Sequence, residues 1–178
     1  WYGANNAVLT ISGDVNTTEV LALAQKYFGS IPKGPEVKNQ IVAPFKLETN
    51  RYISYEDNVK FPMINIAFPT IAANTKEDAA LDVLADILAG SQGSPFYKAF
   101  VESKKAVSAS AYQYSRELAG QFQIVIRANQ GASLTNMETD IKTVLTEWEK
   151  KGVTDDDLLK YKTQFQSRLY EQVSTVQG

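Results

Sequence analysis

Asn16 before Glu19, Thr75 before Asp78 and Thr154 before Asp157 each place a residue able to cap a helix three positions before an acid and ahead of an apolar stripe. A capping oxygen accepts the orphan N–H of the first helical turn while the acid returns toward the cap, so each pair marks where a helix starts. An apolar stripe at helical spacing follows each pair. The first runs Val20, Ala24, Tyr27, Phe28 and closes at Gly29 with Pro32 beyond; the second runs Ala80, Val83, Leu84, Ile87, Leu88 and stops at Gly90. That second helix is expected to be largely buried. The third stripe is Leu158, Tyr161, Phe165, Leu169. Ser94-Pro95 opens a further helix through Phe96, Tyr97, Phe100 and Val101 to Lys104-Lys105, because proline is preorganised for a first helical turn. Before the last cap, Met137, Ile141, Val144, Leu145 and Trp148 form another stripe ending at Gly152, with Trp148 expected in the core.

Between the helices the period changes to two. Ala7 to Ser12 ("AVLTIS"), Arg51 to Tyr55 and Met63 to Phe68 read as strands, and Ala106 to Tyr114 with Gln121 to Ala128 reads as a hairpin around Gly120. Pro32 to Pro44 carries proline, glycine and charge without periodicity and reads as a surface connection. The order βα, ββ, αα, ββ, αα predicts an α+β fold: a mostly antiparallel sheet with helices packed on one face. We expect residues 1–178 to form a single domain. Because the chain opens "WYGANN" without an initiator Met, we also expect a fragment of something longer.

Composition narrows the chemistry. None of the 178 residues is His or Cys, which removes disulfides, thiolate catalysis and the usual zinc ligands together. Asp155-Asp156-Asp157 is better placed to cap a helix than to hold a metal, so no metal site is expected in this chain. Eighteen Lys and Arg against twenty Asp and Glu leave a net charge of −2, without the basic footprint that nucleic acid requires. No apolar run approaches the roughly 20 residues of a membrane span. "AGSQGSP" (Ala89 to Pro95) lacks the Lys-Ser/Thr of a phosphate loop and reads as a turn between helices. Ser103 and Lys104 are adjacent, so they cannot present the i, i+3 pair of Ser-x-x-Lys hydrolases. One stretch remains: "SASAYQYS", where Tyr112 and Tyr114 alternate with Gln113 and small residues. It is either an edge strand that accepts a peptide or a solvated edge without a partner.

The runs "NNAVLTISGDVNTTEVLALAQKYFGSIPKG" (Asn5 to Gly34) and "LADILAGSQGSPFYKAF" (Leu84 to Phe100), with the closing capped helices, resemble the second domain of the pitrilysin/insulinase-type zinc peptidases. The resemblance covers essentially the whole chain. One departure is Ala4-Asn5-Asn6-Ala7, where the family usually has Pro-Asn-Asn-Ala. The resemblance implies a pitrilysin-type α+β domain from the metal-bearing half of such a protease, whose inverted His-x-x-Glu-His motif lies on a preceding domain. Zinc is then implied in the parent protein, with no cofactor in this chain. In the homologous second half the matching segment carries an Arg and a Tyr that assist catalysis; Val101 and Ser108 stand at those positions here, so no catalytic residue is carried over. What carries over is a substrate-anchoring surface at Gly90, Ser91, Gln92, Gly93 and at Ser110, Ala111, Tyr112, Gln113, Tyr114. The implied partners are a peptide substrate, a catalytic domain, and a homologous second half in the same protein or a partner subunit. The competing readings are a scaffold subunit of the same fold without peptidase work and an isolated ligand-binding module. Compartment is left open between a periplasmic or other non-cytosolic bacterial location and the cytoplasm.

Overall fold

The computed structural model describes residues 2–38 and 45–175, which fall into two compact units, Trp1–Ile41 and Val42–Gly178. The second half of the expected Pro32 to Pro44 connection, residues 39–44, lies outside the described residues.

In the first unit a single 3-10 turn, Ala4–Asn6, leads into extended chain and then helix α1, Thr17–Phe28. Asn16 caps α1 as its position predicts, its Oδ1 accepting the N–H groups of Thr18 (2.9 Å) and Glu19 (3.3 Å). Asn5 clamps the unit shut: its Oδ1 accepts the Gly34 N–H at 2.8 Å and its Nδ2 donates to the Pro35 carbonyl at 3.3 Å. Ala7 to Ser12 enters no ladder among the described residues, contrary to the strand expected there. A β-branched run supplies the conformation of a strand, whereas the strand itself needs a partner backbone.

The second unit is built on a three-stranded antiparallel sheet in the order β1-β3-β2, with β1 at Met63–Thr70, β2 at Ala106–Ser115 and β3 at Gly120–Ala128. The hairpin and the Met63 strand are where the alternation places them. Arg51 to Tyr55 is not a strand in the structure; Tyr52, Ile53 and Tyr55 are all exposed and the segment pairs with nothing in the sheet.

Strict alternation along β3 sorts the two faces. Phe122, Ile124, Ile126 and Ala128 are buried, facing Ile64 and Ile66 of β1 and Ala109 and Ala111 of β2 across the ladder. Helix α2 (Lys76–Ala89) adds Ala85 and Leu88 to this core, and α3 (Leu134–Lys151) adds Met137 and Ile141. The segment after Ser94-Pro95 is a π-helical turn, Tyr97–Glu102, rather than an α-helix; it adds Phe100 beside Phe96. All of these belong to one cluster, so the helices cover one face of the sheet and the other is open. Two burial expectations need correction. Helix α2 fully buries only Ala85 and Leu88 and leaves Leu81, Val83, Leu84 and Ile87 half-buried, and Trp148 packs against the edge of the core half-buried rather than inside it.

The hairpin contains one irregularity. Ala106 pairs with Ala128 but Ser108 pairs with Arg127, so Val107 is an extra residue, a β-bulge, and it projects into solvent.

Helix α4 (Asp155–Val173) opens on a complete capping box. Thr154 Oγ1 accepts the Asp157 N–H at 3.2 Å, and Asp157 Oδ2 accepts from the Thr154 hydroxyl (2.7 Å) and N–H (3.1 Å). Those two donors hold the Asp157 carboxyl below its ordinary value, the Thr154 hydroxyl first. A depressed carboxylate stabilises the fold above its unfolded pKa, and that contribution is lost as pH falls through the folded value. Thr154→Ala is therefore expected to cost about 0.5–2 kcal/mol near neutrality. Melts at pH 7 and pH 2.5 check it: the deficit shrinks at the lower pH, whereas an equal deficit at both would separate the cap from the carboxylate.

Candidate functional site

Strand β2 lies at the end of the described sheet, with β3 as its only strand partner. Which of its backbone groups are free follows from the ladder. In an antiparallel pair, residues bonded to the neighbour alternate with residues whose N–H and C=O point away. The Arg116 N–H donates to the Ala119 carbonyl at 2.9 Å, and on the other side of β3 the Ala128 N–H donates to the Pro62 carbonyl at 2.8 Å. Counting back in twos from Arg116, residues 114, 112 and 110 are the bonded ones. Ala109, Ala111 and Gln113 then direct their N–H and C=O groups at the open edge.

Side chains follow the same alternation. Ser110, Tyr112 and Tyr114 stand on the face away from the helices, opposite Val125, Gln123 and Gln121. Both tyrosines are exposed and held in place: Tyr112 Oη donates to Gln123 Oε1 at 2.7 Å, and the Arg116 guanidinium bonds Tyr114 Oη while lying 5.0 Å from its ring centroid. Ser110 Oγ donates to the Val125 carbonyl at 3.2 Å.

Gln113 behaves differently from its place in a polar strand. Its side chain reaches inward across Gly120. Its Nε2 donates to Thr70 Oγ1 at 2.9 Å on β1 and to Asp78 Oδ1 at 3.2 Å at the start of α2. This amide ties both outer strands and a helix together.

The turn Gly90 to Gly93 is exposed throughout and joins α2 to the π-helical turn, as its spacing predicts. Buried Ser94 closes it, donating Oγ to the Ser91 carbonyl at 2.7 Å and accepting the Tyr97 N–H at 3.4 Å. Beside Gly90, Asp86 pairs with Arg168 of α4 at 3.4 Å. One turn earlier, partial burial, and then the neighbouring Asp78, pushes the Asp82 carboxyl above its ordinary value. Asp78, which bonds Gln113, and Gly90 are separated by about 18 Å of helix at 1.5 Å per residue. Val101 sits in the π-helical turn and Ser108 just past the bulge, neither beside a catalytic group.

The donor set does not fit zinc. Histidine and cysteine are absent from the chain, and among the described residues no three carboxylates gather closely enough to hold a metal ion. Among the described residues no helix is long and apolar enough to cross a membrane. Sequence reading passed over Arg127, Arg116 and the inward reach of Gln113; the last two lie downstream of the bulge in β2, which carries no glycine to announce it.

Comparison with known proteins agrees with this architecture. The model of the peptidase M16 inactive domain matches residues 1–165. A curated relative, the zinc protease PqqE of Helicobacter pylori, is 24% identical over 169 residues, which are 91% of this chain and 37% of that protein. The crystal structure of a protease from H. pylori superposes with a TM-score of 0.73 at 21% identity, covering 92% of this chain and 40% of that one. A peptidase M16 inactive domain from Pseudomonas fluorescens gives 0.63 at 19% identity, covering 86% and 37%. This chain spans well under half the length of these relatives. A family model that runs through 165 of 178 residues, on a fold shared with its solved members, makes this chain a member of the peptidase M16 family, as its inactive domain.

Proposed function

We propose that this chain is the non-catalytic domain of a zinc metalloendopeptidase, that it forms part of the wall of the substrate chamber, and that it holds extended peptide along the free edge of β2. Zinc, general base and activated water belong in this reading to a separate catalytic domain, and a homologous second half completes the chamber. The match of one inactive-domain model across both structural units supports treating them as a single domain of a longer protein. The observation that carries the peptide-holding role is the open edge: Ala109, Ala111 and Gln113 aim backbone donors and acceptors outward in a strand that has one strand neighbour. The turn Gly90 to Gly93 is assigned a supporting part at the amino-terminal end of the peptide.

Ala111→Pro tests this in the full-length protein. Proline deletes one outward N–H, and a main-chain hydrogen bond is worth about 0.5–1.5 kcal/mol net, so kcat/KM on a long peptide is expected to fall roughly three- to tenfold. Ala111→Ser keeps the N–H and should retain activity. A short substrate confined to the catalytic domain should be cleaved equally by all three proteins. Unchanged turnover of the long peptide by a folded Ala111→Pro variant would leave β2 without a role in holding substrate.

A further inference from the structure

The open face of the sheet is segregated by charge. The chain as a whole carries more acid than base, twenty against eighteen, yet none of the side chains that β1, β2 and β3 turn away from the helices is Asp or Glu. The charges this face does carry are positive. Arg127 on β3 stands exposed opposite Ser108 at one end of β2, and Arg116 lies over Tyr114 at the other. Among the described residues neither arginine takes part in an ion pair; Arg116 is held by the phenol oxygen and ring of Tyr114, which fix the guanidinium without neutralising it. Glu117, next in sequence, belongs to the turn that follows the strand.

An extended peptide paired to the edge of β2 must share the sheet's alternation. Its backbone meets Ala109, Ala111 and Gln113, and every second side chain falls on the open face beside Ser110, Tyr112 and Tyr114, the face that carries both arginines. The intervening side chains fall on the helix-covered face, next to small residues and the engaged Gln113 amide. We infer that β2 selects anionic peptides, reading acidic side chains at alternate positions on the open face through Arg116 and Arg127. The inference rests on the peptide-holding reading and adds the substrate class. The two tyrosines supply flat apolar surface between the charges, so an aromatic residue between two acids on the same face is the pattern this row fits.

Fluorescence anisotropy with labelled extended peptides and the full-length protein tests it. The peptides differ at one position at a time, carrying Glu, Gln or Lys. Partly exposed charge pairs are individually modest, so exchanging Lys for Glu at an open-face position is expected to tighten binding about tenfold at low salt, and less at high salt. The effect should recur every second residue and vanish at the positions between. The Arg116→Gln/Arg127→Gln protein should bind Glu and Lys peptides alike, and Arg116→Glu/Arg127→Glu should reverse the order; both pairs of substitutions are at exposed positions, and a circular dichroism melt confirms the fold. A flat charge series with the parent protein, or the same preference in the reversed variant, overturns the inference. If Ala111→Pro weakens binding while the charge series is flat, peptide holding stands and anion selection falls. If Ala111→Pro changes nothing and the charge series is flat, both fall.

Discussion

Phe100→Ala is expected to lower the stability of this chain by about 3–5 kcal/mol, the range for removing a large aromatic from a closed core. Phe100 and Phe96 are both fully buried, with ring centroids 5.9 Å apart and planes at 66°, an edge-to-face pair worth more than its buried area alone. Through Phe100 the π-helical turn joins the cluster that contains Ile124 and Ile126 of β3 and Leu88 of α2. Truncation would leave a hole bounded by strand and helix that cannot both close on it. The urea midpoint of the purified chain measures the loss; a cost under about 1 kcal/mol would mean that the turn is not part of the core.

Gly120→Ala comes next, at about 2–4 kcal/mol, and for a different reason. A methyl group on Gly120 would overlap the Ile71 carbonyl oxygen and stand 2.8 Å from Thr70 Oγ1 and 3.0 Å from Gln113 Nε2. It would push apart the hydrogen bond that links the two outer strands over β3 and leave polar groups unmatched at the sheet's end. Gly93 is the control, because a methyl group there meets nothing nearer than Ser91 Oγ at 3.7 Å. Gly93→Ala should be close to neutral in the same measurement, and equal costs at the two positions would contradict the packing described for Gly120.

Helices were legible where local chemistry settles the matter. Asn16, Thr75 and Thr154 all accept the predicted backbone N–H groups, because a cap and its partner are three residues apart and need nothing distant. Strands were legible only when both partners were short-range or strongly alternating. The hairpin met that condition, whereas Ala7 to Ser12 and Arg51 to Tyr55 have the residue types of strands and no ladder in the described structure. The chemistry of β2 was half visible. Its small residues and tyrosines suggested an accessible edge, but the assignment of each residue to a face depends on pairing with β3, which residue types alone do not specify. Gln113 shows the cost: in a list of polar residues it resembles its neighbours, and in space it is a tie between strands and a helix. Trp148 illustrates the converse, a residue on a correctly read stripe whose position near the helix end leaves it half in water.

Val107 settles a question of parity. Had β2 run unbroken from Ala106, the even-numbered residues would have continued on the helix side, forcing Tyr112 and Tyr114 into the core and turning Ala109, Ala111 and Gln113 outward. The inserted residue exchanges odd for even once, near the start of the strand, and everything downstream inherits the exchange. A deletion or second insertion there would trade the two surfaces as complete sets. Which side chains reach the open face is thus fixed by the arithmetic of a residue that itself lies in solvent.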